Sequence, residues 1–207
     1  MNTVIVNDIE YRLNHSKKTA TLYKTHRVFP VMVIPESITN GYDTFTVTSI
    51  KGSVFAFSKI EQIHLPKTIT KIGNRTFAEC HSLEKIFCDN QELMQIGQFA
   101  FAYCDKLQHV GIKGPVLLSG EVFYYCRILE NVCLNVCGEV HNNTFANCYN
   151  LQSVHFNSNE NIKLNNVIFW NCNKLEELQI DGSVYGCFDA LELAYAGVKV
   201  TIGGVLQ

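Results

Sequence analysis

Nine cysteines and seven histidines are the side chains of this 207-residue sequence best suited to chemistry. Thiols in that number suggest a disulfide framework, a zinc site, or a nucleophile served by an imidazole base. The cysteines stand at 80, 88, 104, 126, 133, 137, 148, 172 and 187. None forms a C-x-x-C pair, and the double pairs that hold zinc are absent. The histidines are His15, His26, His64, His81, His109, His141 and His155. The sequence has no nucleophile elbow, phosphate loop, dinucleotide-binding glycine signature or H-E-x-x-H. Acidic residues are scattered singly. No active site is expected, and no cofactor or metal.

The elements that position these residues emerge from the cysteine spacing. Cys80, Cys104, Cys126, Cys148 and Cys172 are 24, 22, 22 and 24 residues apart, an interval that marks a structural repeat. Aligned on those cysteines, residues 72–88 read IGNRTFAECHSLEKIFC and residues 96–112 read IGQFAFAYCDKLQHVGI. Residues 118–134 read LSGEVFYYCRILENVCL, residues 140–156 VHNNTFANCYNLQSVHF and residues 164–180 LNNVIFWNCNKLEELQI. Each has an aliphatic residue, Phe five positions on, Cys three later, Leu three later, then two alternating apolar residues. The Phe column is Phe77, Phe101, Phe123, Phe145 and Phe169; the Leu column is Leu83, Leu107, Leu129, Leu151 and Leu175. An earlier copy over residues 50–65 fits with one deletion, Phe55 and Ile60 taking the Phe and Leu places, and lacks the Cys.

A unit of this size cannot bury its own apolar residues, whereas stacking places like on like and merges the columns into one core. The segment after each Leu alternates in period two, which predicts a short strand with one face inward. Stacked strands make a short parallel sheet on one side of a solenoid. The stretch from the first aliphatic residue to the Cys suits turns or short helices on the other side.

The register of these columns resembles the BspA-type leucine-rich repeats of bacterial surface proteins, over about residues 28–180. The lead-in VMVIPESITNGYDTFTVTSI, residues 31–50, looks like that family's approach to its first coil. Its Asn40-Gly41 step is a hairpin signal. The fold class expected is therefore a leucine-rich-repeat solenoid forming one structural domain. Residues 1–49 are expected to form an N-terminal β cap with a hairpin built on Ile9, Tyr11, Leu13, Ala20 and Leu22. Residues 50–180 would supply about six coils. Residues 181–207 would form a helix-strand C-cap, with Asp189 and Gly197 bounding a helix over 190–196. The resemblance implies a non-enzymatic module for adhesion at the cell surface, binding a protein or glycan of host or matrix. The alternative is an intracellular interaction scaffold, and an enzyme ranks third.

Stacking also decides what the cysteines do. A ladder spreads thiols along a line, whereas a metal needs ligands converging on a point. Adjacent coils bring Cα atoms close enough for a disulfide, but their Cβ vectors run parallel. The column is therefore expected to pack as buried thiols. Cys88 falls inward, while Cys133 falls outward on a strand and Cys137 just beyond it, making these two the exposed thiols. His64 and His155 share an outward column about 19 Å apart, with His109 in a neighbouring one. All are expected to be solvated polar positions with no shared metal and no catalytic pair.

The remaining candidate is the outward strand surface: Gln62, His64 and Pro66; Lys85, Phe87 and Asp89; His109, Gly111 and Lys113. It continues with Asn131, Cys133 and Asn135; Ser153, His155 and Asn157; and Glu177, Gln179 and Asp181. The candidate ligand-binding residues are His64, Lys85, Phe87, His109, Lys113, Asn131, His155, Asn157, Glu177 and Gln179, joined by Asn159 and Glu160 of a loop. Such a face covers roughly 300 Å², below the ~800 Å² per partner of a standard interface, so it suits a peptide or glycan segment. The two 24-residue intervals put extra loop residues at 89–95 and 157–163. The formal charge of −2 and pI of 6.4 argue against nucleic acid. No apolar run reaches the ~18 residues of a membrane span. Residues 1–13 lack the basic start and apolar stretch of a signal peptide.

Overall fold

The computed structural model describes residues 3–158, 160–165, 167–186, 193 and 196–206. The chain begins with β1 (Thr3–Val6), β2 (Ile9–Asn14) and β3 (Thr19–Thr25), an antiparallel meander. Its second hairpin turns at 15–18 and buries Tyr11, Leu13, Ala20 and Leu22, as the alternation predicts. β4 (Val31–Val33) follows, then the hairpin of β5 (Ser37–Asn40) and β6 (Asp43–Ile50), which turns at Gly41 with φ 65°. β3 pairs in parallel with β6, so the hairpin cap closes one end of the solenoid.

From there each coil supplies two strands. The first set is β7 (Gln62–Leu65), β9 (Lys85–Cys88), β11 (His109–Ile112), β13 (Asn131–Val136), β15 (Ser153–Phe156), β17 (Glu177–Ile180) and β19 (Lys199–Ile202). With β4 at the leading edge, this gives eight strands in one column, all in parallel register where paired. The column begins within the segment read as a lead-in and ends on the segment read as a cap.

The second set is β8 (Lys71–Ile72), β10 (Met94–Ile96), β12 (Pro115–Leu118), β14 (Glu139–Val140), β16 (Ile162–Leu164) and β18 (Val184–Gly186). The aliphatic residue that opens each repeat lies in these strands, not in a turn or helix. Two to four residues per strand are too few for a clear period-two signal, so this second sheet was invisible in the alternation. β20 (Val205–Leu206) pairs antiparallel with β19 at the far end.

The third side of each coil is made of turns. Residues four apart take left-handed backbone angles: Arg75 and Glu79, Phe99 and Tyr103, Glu121 and Tyr125, Asn143 and Asn147. Bulky residues adopt that region at a cost of about 1 kcal/mol or more. The offset is a ladder between coils. The N–H groups of Arg75, Phe77 and Glu79 donate to the carbonyls of Gln98, Ala100 and Ala102 at 2.8–2.9 Å. Alternate N–H groups close turns within the coil, as from Cys80 to Phe77. The backbone's polar groups are thus satisfied without a helix. The expected C-terminal helix over 190–196 falls mostly outside the described residues. Leu193 is helical, and its carbonyl accepts from Val198 N–H at 3.0 Å past Gly197, whose φ is 88°. That is a Schellman-type helix end.

The core follows the repeat columns. Phe55, Phe77, Phe101, Phe123, Phe145 and Phe169 stack ring on ring, with centroids 5.1–5.8 Å apart and planes within 15°. The Leu column is buried throughout, and Ile60 takes its place in the first coil. The column cysteines are free thiols. Each aims its S–H at the carbonyl of the Phe one coil back: Cys80 to Phe55 at 2.9 Å, Cys104 to Phe77, Cys126 to Phe101 and Cys148 to Phe123 at 3.2 Å, and Cys172 to Phe145 at 3.1 Å. Ser58 fills the cysteine place in the first coil and meets Cys80. A thiol that is both hydrogen-bonded and dry does not react until the chain opens. Titration of native protein with a thiol reagent should therefore find Cys133 and Cys137, with the ladder reacting only in denaturant. A native count that already includes the ladder would contradict this packing.

Candidate functional site

The outward face of the first strand column positions the predicted residues as the alternation requires. Gln62, His64, Lys85, Phe87, Gly111, Ser153, His155, Glu177 and Gln179 are partly exposed, and His109, Asn131 and Cys133 more so. Pro66, expected outward, is buried, because the chain turns the corner one residue earlier than the alternation implies. The face is in two halves. β4, β7, β9 and β11 form one ladder, and β13, β15, β17 and β19 the other; among the described residues β11 and β13 are not paired. Instead the end of β13 runs on to pair with β12, Pro115 opposite Asn135 and Val116 opposite Val136. This draws β13 toward the second sheet.

In the first half, registration places Val33, His64, Phe87 and Gly111 in one row, with Val31, Gln62, Lys85 and His109 beside it. The Phe87 ring stacks on His64 at 4.7 Å and 21° and is flanked by His109 at 5.4 Å. Gly111 makes room: a Cβ there would lie 2.9 Å from His109 Nε2. So the histidines expected to be independent solvated groups converge on Phe87. A cleft of about 650 Å³ opens over this cluster. Ion pairs at its rim join Lys113 to Asp89 at 2.9 Å and Lys67 to Glu36 at 3.7 Å. Val31 and Val33, 49% and 68% exposed, extend the apolar surface to the sheet edge. The alternation had not singled out Val31, Val33 or Glu36, which precede the first recognisable repeat, nor Lys67, which lies in the turn after the first copy.

The second half is polar. Ser153 Oγ donates to Asn131 Oδ1 at 2.6 Å, and Lys199 pairs with Glu177 at 2.9 Å. Cys133 Sγ lies 3.9 Å from His155 Nδ1. The other ring nitrogen, Nε2, is 2.9 Å from Asp181 Oδ1, which also accepts from Gln179 Nε2 at 2.9 Å. These two hydrogen bonds, with Gln179 the larger contributor, hold the Asp181 carboxyl below its ordinary range. Partial burial pushes the Cys133 thiol up, and the Asp181 charge adds to this. The expectation that His155 is only a solvated position is thus corrected: it joins a thiol and a carboxylate from neighbouring coils.

The loops differ from the surface insertions their spacing implied. Asn90 is buried, its Oδ1 accepting from Gly114 N–H at 3.1 Å and its Nδ2 donating to Glu92 O at 3.0 Å. In the other loop Ser158 is buried, and Ile162 belongs to β16 and the core. Asn157 and Glu160 are exposed there, and Asn159 lies outside the described residues. Among the described residues no cluster of three or more His, Cys, Asp or Glu is arranged to hold a metal. Also among them, no helix is long and apolar enough to cross a membrane.

This architecture is shared with solved bacterial proteins. A T. pallidum leucine-rich-repeat protein superposes with a TM-score of 0.74 at 19% identity, over 96% of this chain and 98% of its own. A leucine-rich cell surface protein of Faecalibacterium prausnitzii gives a TM-score of 0.67 at 21% identity, over 88% of this chain. A leucine-rich-repeat protein of Bacteroides ovatus gives 0.56 at 22% identity, over 85%. This chain spans 55% of the length of each of the latter two. At such identities the likeness is one of fold. No curated protein matches the sequence. The model of the BspA type leucine-rich repeat region matches residues 36–148 and 118–190, across the coils whose columns are described above, and the chain belongs to that family.

Proposed function

We propose that the chain is a binding module that holds an extended peptide segment of a partner protein in the cleft over Phe87. The single observation that carries this reading is the ring cluster of His64, Phe87 and His109 at the floor of a cleft of about 650 Å³. That volume is in the range of small-ligand sites, and a few convergent polar groups on an apolar floor fix the orientation of what binds. An apolar side chain of the ligand would lie against Phe87, and its charges would meet the rim pairs. Rim charges of both signs favour a peptide over a neutral glycan. Display at a bacterial cell surface, with adhesion as the outcome, fits the family and the cell surface protein of F. prausnitzii that shares the fold.

The test is a binding screen against extracellular matrix proteins, peptide arrays and glycan arrays. Phe87→Ala should weaken binding about 30-fold, the ~2 kcal/mol typical of a buried aromatic anchor. Gln179→Ala, on the other half of the face, should leave it within twofold. Equal affinity of the Phe87→Ala variant would place the ligand elsewhere. Deleting residues 157–163 is not a clean control, because it removes Ile162 from the core.

A further inference from the structure

The second half of the face carries a feature that peptide binding does not use. Cys133, His155 and Asp181 come from three successive coils and form one hydrogen-bonded line, 3.9 Å from Sγ to Nδ1 and 2.9 Å from Nε2 to Oδ1. An ionised Asp181 accepts the proton-bearing Nε2, which leaves the Nδ1 lone pair of a neutral imidazole facing the thiol. The geometry thus assigns each group a role: carboxylate to fix the tautomer, imidazole to take a proton, sulfur to attack.

Cys133 differs from the other described cysteines. Those of the ladder are bonded to carbonyls and buried, Cys172 partly so. Cys137 is half-buried, and burial, then the Glu160 charge, push its thiol up, as burial and Asp181 do for Cys133. Cys133 is exposed. The thiol is not ionised beforehand, because burial and Asp181 hold its proton, so its reaction requires the base beside it. Once deprotonated, a thiol of high pKa is the stronger nucleophile.

We propose that Cys133, His155 and Asp181 form a base-assisted thiol site that takes up an external small-molecule disulfide as a mixed disulfide. His155 Nδ1 accepts the thiol proton as the Cys133 sulfur attacks one sulfur of the disulfide. The bond between Cys133 and that sulfur forms as the external S–S bond breaks, and the departing thiolate takes the proton from His155. Two electrons stay with the leaving sulfur, and the protein ends as a mixed disulfide with one free small thiol released. Asp181 acts as a positioning residue through His155.

The experiment incubates the full chain with oxidised glutathione and follows the adduct by intact mass and peptide mapping. The adduct should fall on Cys133 and vanish in Cys133→Ser. His155→Gln should slow its formation about a hundredfold, the low end of what a positioned base supplies. Asp181→Asn should slow it several-fold. Nitrogen NMR of the wild-type His155 ring should show the proton on Nε2, and Asp181→Asn should shift that tautomer population. Continued protection of the ladder cysteines in each variant confirms an intact fold. An adduct on Cys137 in place of Cys133, a wild-type rate in a folded His155→Gln, or a proton on Nδ1 in the wild type would each overturn the proposal. None of these results depends on whether a peptide binds over Phe87.

Discussion

Phe101→Ala is expected to destabilise the solenoid by about 3–5 kcal/mol, read as a fall in the urea midpoint of unfolding. Phe101 is fully buried, with Phe77 stacked on one face at 5.2 Å and Phe123 on the other at 5.5 Å. Truncation removes the ring and leaves a slot between two rings that cannot close. The coils on either side are held at fixed spacing by the turn ladder, including the bond from Phe101 N–H to Val122 O at 2.9 Å. The cost is therefore the transfer of a phenyl group plus an unrelaxed cavity. Phe169 is 9% exposed and, among the described residues, stacks only on Phe145, so Phe169→Ala should cost visibly less. Equal losses at the two positions would mean that the column does not act as a continuous core.

Raising pH should unfold the protein steeply above pH 9. Burial pushes up the thiols of Cys80, Cys88, Cys104, Cys126 and Cys148, and that of Cys172 to about 12. The folded chain thus keeps protons that the unfolded chain releases near pH 8.5–9. Groups with a raised folded pKa contribute stability that is fully present below the unfolded value and lost as pH rises toward the folded one. Each such thiol removes about 1.4 kcal/mol per pH unit in that window. The ladder acts together, so the loss by pH 10 is on the order of 5 kcal/mol, comparable to the whole stability of a small domain. Tyr11, raised to about 12 by burial, adds to the loss only above pH 10. Denaturant midpoints measured from pH 7 to 10.5 under reducing conditions would show the fall. Cys104→Ser keeps a donor for the Phe77 carbonyl but does not titrate, so its curve should fall less steeply. A midpoint flat to pH 10.5 would show that the thiols ionise without unfolding.

How far this protein could be read from its sequence depended on what the period of 22–24 residues measures. The Phe, Leu and Cys columns were legible because each coil repeats the same demand on the same side chain. The outward positions were legible too, since alternation in a strand fixes which side a residue faces. Phe87 stood out as the apolar residue on a polar face. The line from Cys133 through His155 to Asp181 did not, for a geometric reason. The register pairs His155 with Gln179, and Asp181 is reached diagonally, two residues further along. The 22 residues from Cys133 to His155 are one repeat period, whereas the 26 from His155 to Asp181 match no column. The same applies to His109, which belongs to a different row from Phe87 and meets it only because Gly111 leaves the space.

The sequence by itself determined the coil, its inward columns, and which residues face outward, because those follow from burying apolar side chains at a fixed period. Only the tertiary structure decided the rest. The second sheet rests on strands as short as two residues, such as β8, whose bonds come from other coils. The seam between β11 and β13 arises from competition between two partners for one strand. The contacts of His155 arise from side-chain directions across three coils. Such contacts form between residues that share no local pattern, so chain-local physics cannot specify them.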